Sequence, residues 1–147
     1  MKSLLFLIFI IAGLLRYVNS SAQDSGLYII GNPESVPSEL DMEQLKSILR
    51  GERMRWEDGS SIKIALMKTN TPIGLNTCMK IYNMSANELN KYFLALVFQG
   101  KVKAPTFFNT VQELEDYIAQ TPGAIGVSQN TSDSQIKIIL VDGKKEI

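Results

Sequence analysis

The sequence predicts an α/β fold, a mixed sheet flanked by about four helices. Three observations predict it. Short apolar runs at 27–30, 62–67, 124–128 and 135–141 have the length and β-branched content of buried strands. The segments between them carry apolar residues at helical spacing, most of them behind a capping residue. Strands and helices also interleave along the chain rather than clustering, as layered α/β domains require.

The elements follow in order. "LYIIGNP" (Leu27 to Pro33) reads as a buried strand ending in a turn, and Pro33 and Pro37 bound a loop. Asp41 caps a helix through Leu49, with Met42, Leu45, Ile48 and Leu49 on one face, and Gly51 stops it. Arg53 to Ser60 is a turn-rich connection holding the only tryptophan, Trp56, and an Asp58-Gly59 turn. "IKIALM" (Ile62 to Met67) alternates, with Ile62, Ile64 and Leu66 to one side. A second helix starts behind Thr71, because Pro72 suits the first helical position; Leu75, Cys78, Met79 and Tyr82 are its expected inner stripe. Ser85 and Glu88 form a capping box for a third helix, with Leu89, Tyr92, Phe93, Leu96 and Val97 inward, ending near Gly100. "PTFF" (Pro105 to Phe108) is a short strand. Thr110 and Glu113 box a fourth helix that packs through Val111, Leu114, Tyr117 and Ile118. "GAIGVS" and "QIKIILV" are the last strands, expected to form a hairpin through Gln129 to Ser134. No internal repeat and no low-complexity segment interrupts this order.

The 147 residues suggest one domain, preceded by a processing segment. Lys2 opens the chain, and "LLFLIFIIAGLL" (Leu4 to Leu15) is apolar but too short for a bilayer span of ~20 residues. Ser20 and Ala22 are small residues placed for cleavage, so residues 1–22 read as a secretory signal peptide and 23–147 as the mature domain. An uncleaved anchor is the other reading. Cys78 is the only cysteine, so the cleavage site lacks a lipoprotein cysteine and no internal disulfide can form. A periplasmic or secreted location is expected.

Charge excludes several partners. Basic and acidic residues balance at 15 each, and residues 23–147 keep 13 basic and 15 acidic, a net charge of −2. Nucleic-acid binding lacks its basic field, and stable membrane association lacks a polybasic segment. Catalysis is not expected. Histidine, the commonest general base and metal ligand, is absent, and Cys78 sits on an apolar helical stripe with no activating partner in view. No cofactor or metal pattern stands out. Asn83-Met84-Ser85 and Asn130-Thr131-Ser132 match the glycosylation sequon.

Three motifs in order resemble a known family. The first is "DMEQLKSILRGERMRWEDGSSIKIALM", in which Leu45, Ile48, Leu49, Gly51, Trp56, Asp58 and Gly59 fall at characteristic places. The second is "YFLALVFQGK" (Tyr92 to Lys101), and the third is the Pro122 to Gly126 stretch. Together they resemble the phosphate-binding proteins of ABC importers, within the type II periplasmic-binding-protein superfamily, over nearly all of 27–141. The resemblance implies a single lobe of that fold and a small oxyanion, such as phosphate, as ligand. It also leaves open a one-lobe interaction module that docks on a partner protein or on itself. Trp56 is read as packing at the corner behind the first helix; stacking on a ligand is the alternative.

The resembling family places a Ser-Gly-Thr stretch at the start of the helix after the second strand. Here that position reads "KTNTPIGLN". Lys68, Thr69, Asn70 and Thr71 are the ligand-binding residues the resemblance implies, with charge from Lys68 and donors from the others. Pro72 takes one backbone donor away, and helix capping alone also accounts for Thr71.

Overall fold

A computed structural model describes residues 26–131 and 135–147. The expected signal peptide at 1–22 and part of the expected 129–134 turn lie outside the described residues. The rest forms a six-stranded sheet with four α-helices. The strands are β1 (Tyr28–Gly31), β2 (Glu39–Leu40), β3 (Lys63–Met67), β4 (Thr106–Phe108), β5 (Ala124–Ser128) and β6 (Lys137–Val141). The helices are α1 (Met42–Leu49), α2 (Pro72–Thr77), which continues into a π-helical turn at Cys78–Tyr82, α3 (Ala86–Phe98) and α4 (Val111–Gln120). The sheet order is β2-β6-β1-β5-β3-β4. β1 runs antiparallel to both neighbours, with Ile29 opposite Val127 and Ile139, and the other pairs are parallel. This is the mixed α/β sheet the sequence predicts.

Successive side chains of a strand point to opposite faces, and both faces here are covered. Ile29, Leu66, Ile125, Val127, Ile139 and Val141 join a core with α1, the π-helical turn and α3. Ile30, Ala65, Met67 and Ala124 face the other way, onto Leu114 and Ile118 of α4. All four helices start at the predicted caps. Asp41, Ser85 and Thr110 each accept from a backbone amide three residues on, and Gln44, Glu88 and Glu113 reach back to complete capping boxes. Two tyrosines satisfy carbonyls at the end of α1: the Tyr82 hydroxyl donates to Leu49 O at 2.8 Å and the Tyr92 hydroxyl to Arg50 O at 2.9 Å.

Three expectations need correction. β5 and β6 do not pair as a hairpin, because β1 lies between them. β1 presents an apolar residue to each core and pairs on both edges, so it takes the central place that a local hairpin would have closed. Leu75 and Met79 are not inward but exposed, at 44% and 68%. The buried stripe is Gly74, Thr77, Cys78, Ile81 and Tyr82, one position earlier. Gly74 faces the strand because a Cβ there would stand 2.0 Å from Lys68 O, so close backbone approach sets the helix rotation and the larger apolar residues turn outward. Val97 is exposed as well, on the outer side of α3 with Leu94 and Phe98. β2, two residues paired with β6, lies between Pro37 and the Asp41 cap, where the sequence predicts no element.

Candidate functional site

Residues Lys68, Thr69, Asn70 and Thr71 form the whole connection from β3 to α2, so the structure brings all four together in one turn. The turn lies at the carboxyl end of a parallel strand, where open α/β sheets hold their ligands. Lys68 N donates to Phe108 O at 2.9 Å, which extends the β3–β4 pairing to the corner. Thr71 N donates to Lys68 O at 2.9 Å and closes the turn.

The hydroxyl of Thr71 is spoken for. It donates to Lys68 O at 2.7 Å and accepts from Gly74 N at 3.0 Å. Thr71 is therefore the N-cap that the sequence predicts, and its proton is not offered to a ligand. Thr69 differs: its hydroxyl accepts from Asn90 Nδ2 at 3.4 Å and keeps its own proton to give. Lys68 and Asn70 are exposed, and Lys68 makes no ion pair among the described residues. Among the same residues the amides of Thr69, Asn70 and Ile73 have no protein acceptor. An ammonium, a hydroxyl and three amides thus remain for an anion at this corner, at the positive end of a short helix.

The adjacent corner, where β4 leads into α4, is already occupied. The Glu113 carboxylate accepts from Asn109 N and Thr110 N, each at 3.2 Å. An internal carboxylate takes the place there that an external anion would take. Its negative charge also stands one strand away from Lys68, which weakens the field at the first corner. Sequence reasoning missed Gly74 and Asn90 as parts of this site. A glycine inside the first turn of a helix was the available signal, since it destabilises a helix unless a close approach needs it.

Trp56 is a scaffold residue. It is 5% exposed, packs in the main core, and donates from its indole N–H to Gly123 O at 3.1 Å. That carbonyl also accepts from Lys63 N at 3.0 Å, and Gly123 N donates to Ser35 Oγ at 2.6 Å. The tryptophan motif and the Pro122–Gly126 motif, far apart in sequence, are therefore two halves of one joint. Cys78 is buried and its burial pushes the thiol pKa up, the opposite of an activated nucleophile. Among the described residues no cluster of three or more acidic or cysteine side chains could hold a metal ion, and no helix is long and apolar enough to cross a membrane.

No family model and no curated protein sequence matches the chain. Solved structures do. A protein from Clostridium perfringens, assigned as a phosphate ABC transporter substrate-binding protein and crystallised with bound phosphate, superposes with a TM-score of 0.62 at 15% identity, over 81% of this chain and 46% of its own. An ABC-type phosphate transport receptor from Vibrio cholerae gives 0.62 at 17% identity, over 86% of this chain and 54% of its own. PstS from Borrelia burgdorferi gives 0.60 at 16% identity, over 81% and 48%. The chain spans about half the length of these proteins, and its fold is that of a single lobe of the periplasmic-binding-protein type, shared with phosphate transport proteins.

Proposed function

We propose that this protein is an exported solute-binding-like lobe that takes phosphate, or another small oxyanion, at the Lys68–Thr71 corner, for or alongside an ABC importer. The observation that carries the reading is the set of donors left over there: the Lys68 ammonium, the Thr69 hydroxyl and three amides without protein acceptors, on a fold shared with phosphate-binding transport proteins. Pro72 removes one donor, the Glu113 carboxylate opposes the anion, and a single lobe leaves the ligand in water. Binding is accordingly weak, with a dissociation constant on the order of 1 mM, or ~4 kcal/mol.

Calorimetric titration with phosphate and sulfate tests this. Lys68→Ala is expected to weaken phosphate binding severalfold while leaving thermal unfolding unchanged, because the side chain is exposed and makes no ion pair among the described residues. Thr71→Ala is expected to lower stability by ~1 kcal/mol through the lost cap. Unchanged affinity in Lys68→Ala, or no heat from the parent protein at high millimolar phosphate, would remove the oxyanion reading. Export rests on the apolar run before Ser20-Ser21-Ala22. N-terminal sequencing of the exported protein is expected to begin at Gln23, and an intact Met1 in a membrane fraction would contradict it.

A second reading, an interaction module without ligand capture, draws on the outer face of α3. Leu94, Val97 and Phe98 are 57%, 40% and 83% exposed there. Adjacent large apolar residues of this kind mark contact surfaces. A solution mass above that of one chain that returns to one chain in Phe98→Ser would favour it.

A further inference from the structure

β4 is shorter than its neighbour. It has three residues against five in β3, so pairing begins at Ala65 with Thr106, and Lys63 and Ile64 have no strand beside them on that side. The gap is a groove of about 560 Å³. One wall is the Arg53–Arg55 segment and the other is Val102–Ala104, with Ile62, Ile64 and Tyr117 as apolar lining. The walls are held together at Gly51, where a Cβ would come 2.7 Å from Val102 Cγ1.

The charge in this groove has one sign. Arg53, Arg55, Lys63 and Lys103 line it, and no acidic residue does. Arg53 pairs with Glu57 at 3.8 Å, and the Glu57 side chain is 92% exposed. Both guanidinium groups are partly tethered, Arg53 Nε to Arg55 O at 3.2 Å and Arg55 Nη1 to Gly59 O at 2.8 Å. Each keeps further N–H donors free, already oriented. The balancing acids line the next groove, of about 440 Å³, with Glu34, Glu39, Glu57 and Asp58, and Arg53 lines both grooves. A chain of balanced composition therefore concentrates positive charge in one concave place.

We infer that this groove is a separate binding site for a small organic polyanion, an apolar or aromatic body bearing at least two negative charges. Its volume is that of a small-ligand pocket. Its apolar lining suits an organic body, which an inorganic ion would leave wet. Cations on both walls and at Lys63 suit two or more anionic groups and leave a monoanion matched on one side only. The groove lies at the start of β3, whereas the Lys68–Thr71 corner lies at its end, ~13 Å along the strand. The two sites do not share a residue.

The test is calorimetric titration of the protein at low salt with a naphthalene disulfonate carrying one sulfonate on each ring. Binding is expected to weaken roughly tenfold for each of Lys63→Glu and Lys103→Glu, and to a similar degree when naphthalene monosulfonate replaces the disulfonate. Lys68→Ala is expected to leave it unchanged, so the outcome does not depend on the phosphate reading. Circular-dichroism melts of both exposed-lysine variants check that they fold, and Lys103→Ala serves if a glutamate variant does not. Equal affinity for the mono- and disulfonate, or no change in any groove variant, overturns the assignment. So does salt-sensitive self-association that these variants abolish without any disulfonate heat, because the acidic groove of a second copy would then be the occupant.

Discussion

Trp56→Ala is expected to lower the free energy of unfolding by about 3–5 kcal/mol, as removal of a buried aromatic ring does. The ring is the largest side chain at the joint between the 53–60 turn and Gly123, and it packs into the main core with 5% exposure. Truncation empties that space, and the surrounding backbone is too firmly hydrogen-bonded to collapse into it. Trp56 N donates to Ser60 O at 2.9 Å, Gly59 N to Trp56 O at 3.0 Å and Ile62 N to Met54 O at 2.9 Å. Trp56→Phe separates volume from hydrogen bonding. The indole N–H disappears, but Gly123 O still accepts from Lys63 N, so no buried acceptor is orphaned. That variant is expected to lose only ~1–2 kcal/mol. Urea denaturation of the three proteins checks both figures. A Trp56→Ala midpoint equal to the parent's, with phosphate binding abolished, would move the ring from scaffold to site.

The parts of the fold that were legible in the sequence are those decided locally. Asp41, Thr71, Ser85 and Thr110 all cap helices, because an N-cap needs only its own side chain and an amide three residues away. The alternation of Ile62, Ile64 and Leu66 against Ala65 and Met67 survives intact, because both faces of β3 are buried. The pairing of β5 and β6 was not legible. A polar connection between two apolar strands looks like a hairpin, and only competition from β1, a hundred residues away, decides otherwise. The rotation of α2 escaped for a related reason. Gly74 and Thr77 carry little hydrophobic signal, yet backbone contact with Lys68 O turns them inward and leaves Leu75 and Met79 in water. At the candidate site the four residues could be placed at one corner from sequence. That the Thr71 hydroxyl is consumed by Lys68 O and Gly74 N, while Thr69 is left to donate, depends on turn geometry that no spacing rule encodes. The cationic groove was hidden more deeply, since Arg53, Lys63 and Lys103 come from three segments and meet only because β4 is short.

Gly123→Ala is expected to be about as damaging as Trp56→Ala, although it adds one carbon atom. Two effects combine. Gly123 has φ +82, a left-handed conformation that puts an alanine at a disadvantage of ~1–2 kcal/mol. The added Cβ would also stand 2.2 Å from Ser61 O, and that atom is backbone. Relief requires moving the start of β3, which Lys63 N anchors to Gly123 O itself. Gly59→Ala isolates the first effect. Gly59 has φ +85, but nothing lies within 4 Å of a Cβ there. Its loss is expected to stay near ~1–2 kcal/mol, and Gly123→Ala is expected to exceed it by a further ~2 kcal/mol from overpacking. The double variant Trp56→Ala/Gly123→Ala tells which neighbour matters. The Trp56 Nε1 atom is 3.5 Å from the added Cβ, an ordinary contact, whereas the Ser61 carbonyl is the obstruction. Removing the indole is therefore expected not to rescue Gly123→Ala. A double variant more stable than Gly123→Ala alone would show that the indole, rather than the strand backbone, is what requires glycine at this joint.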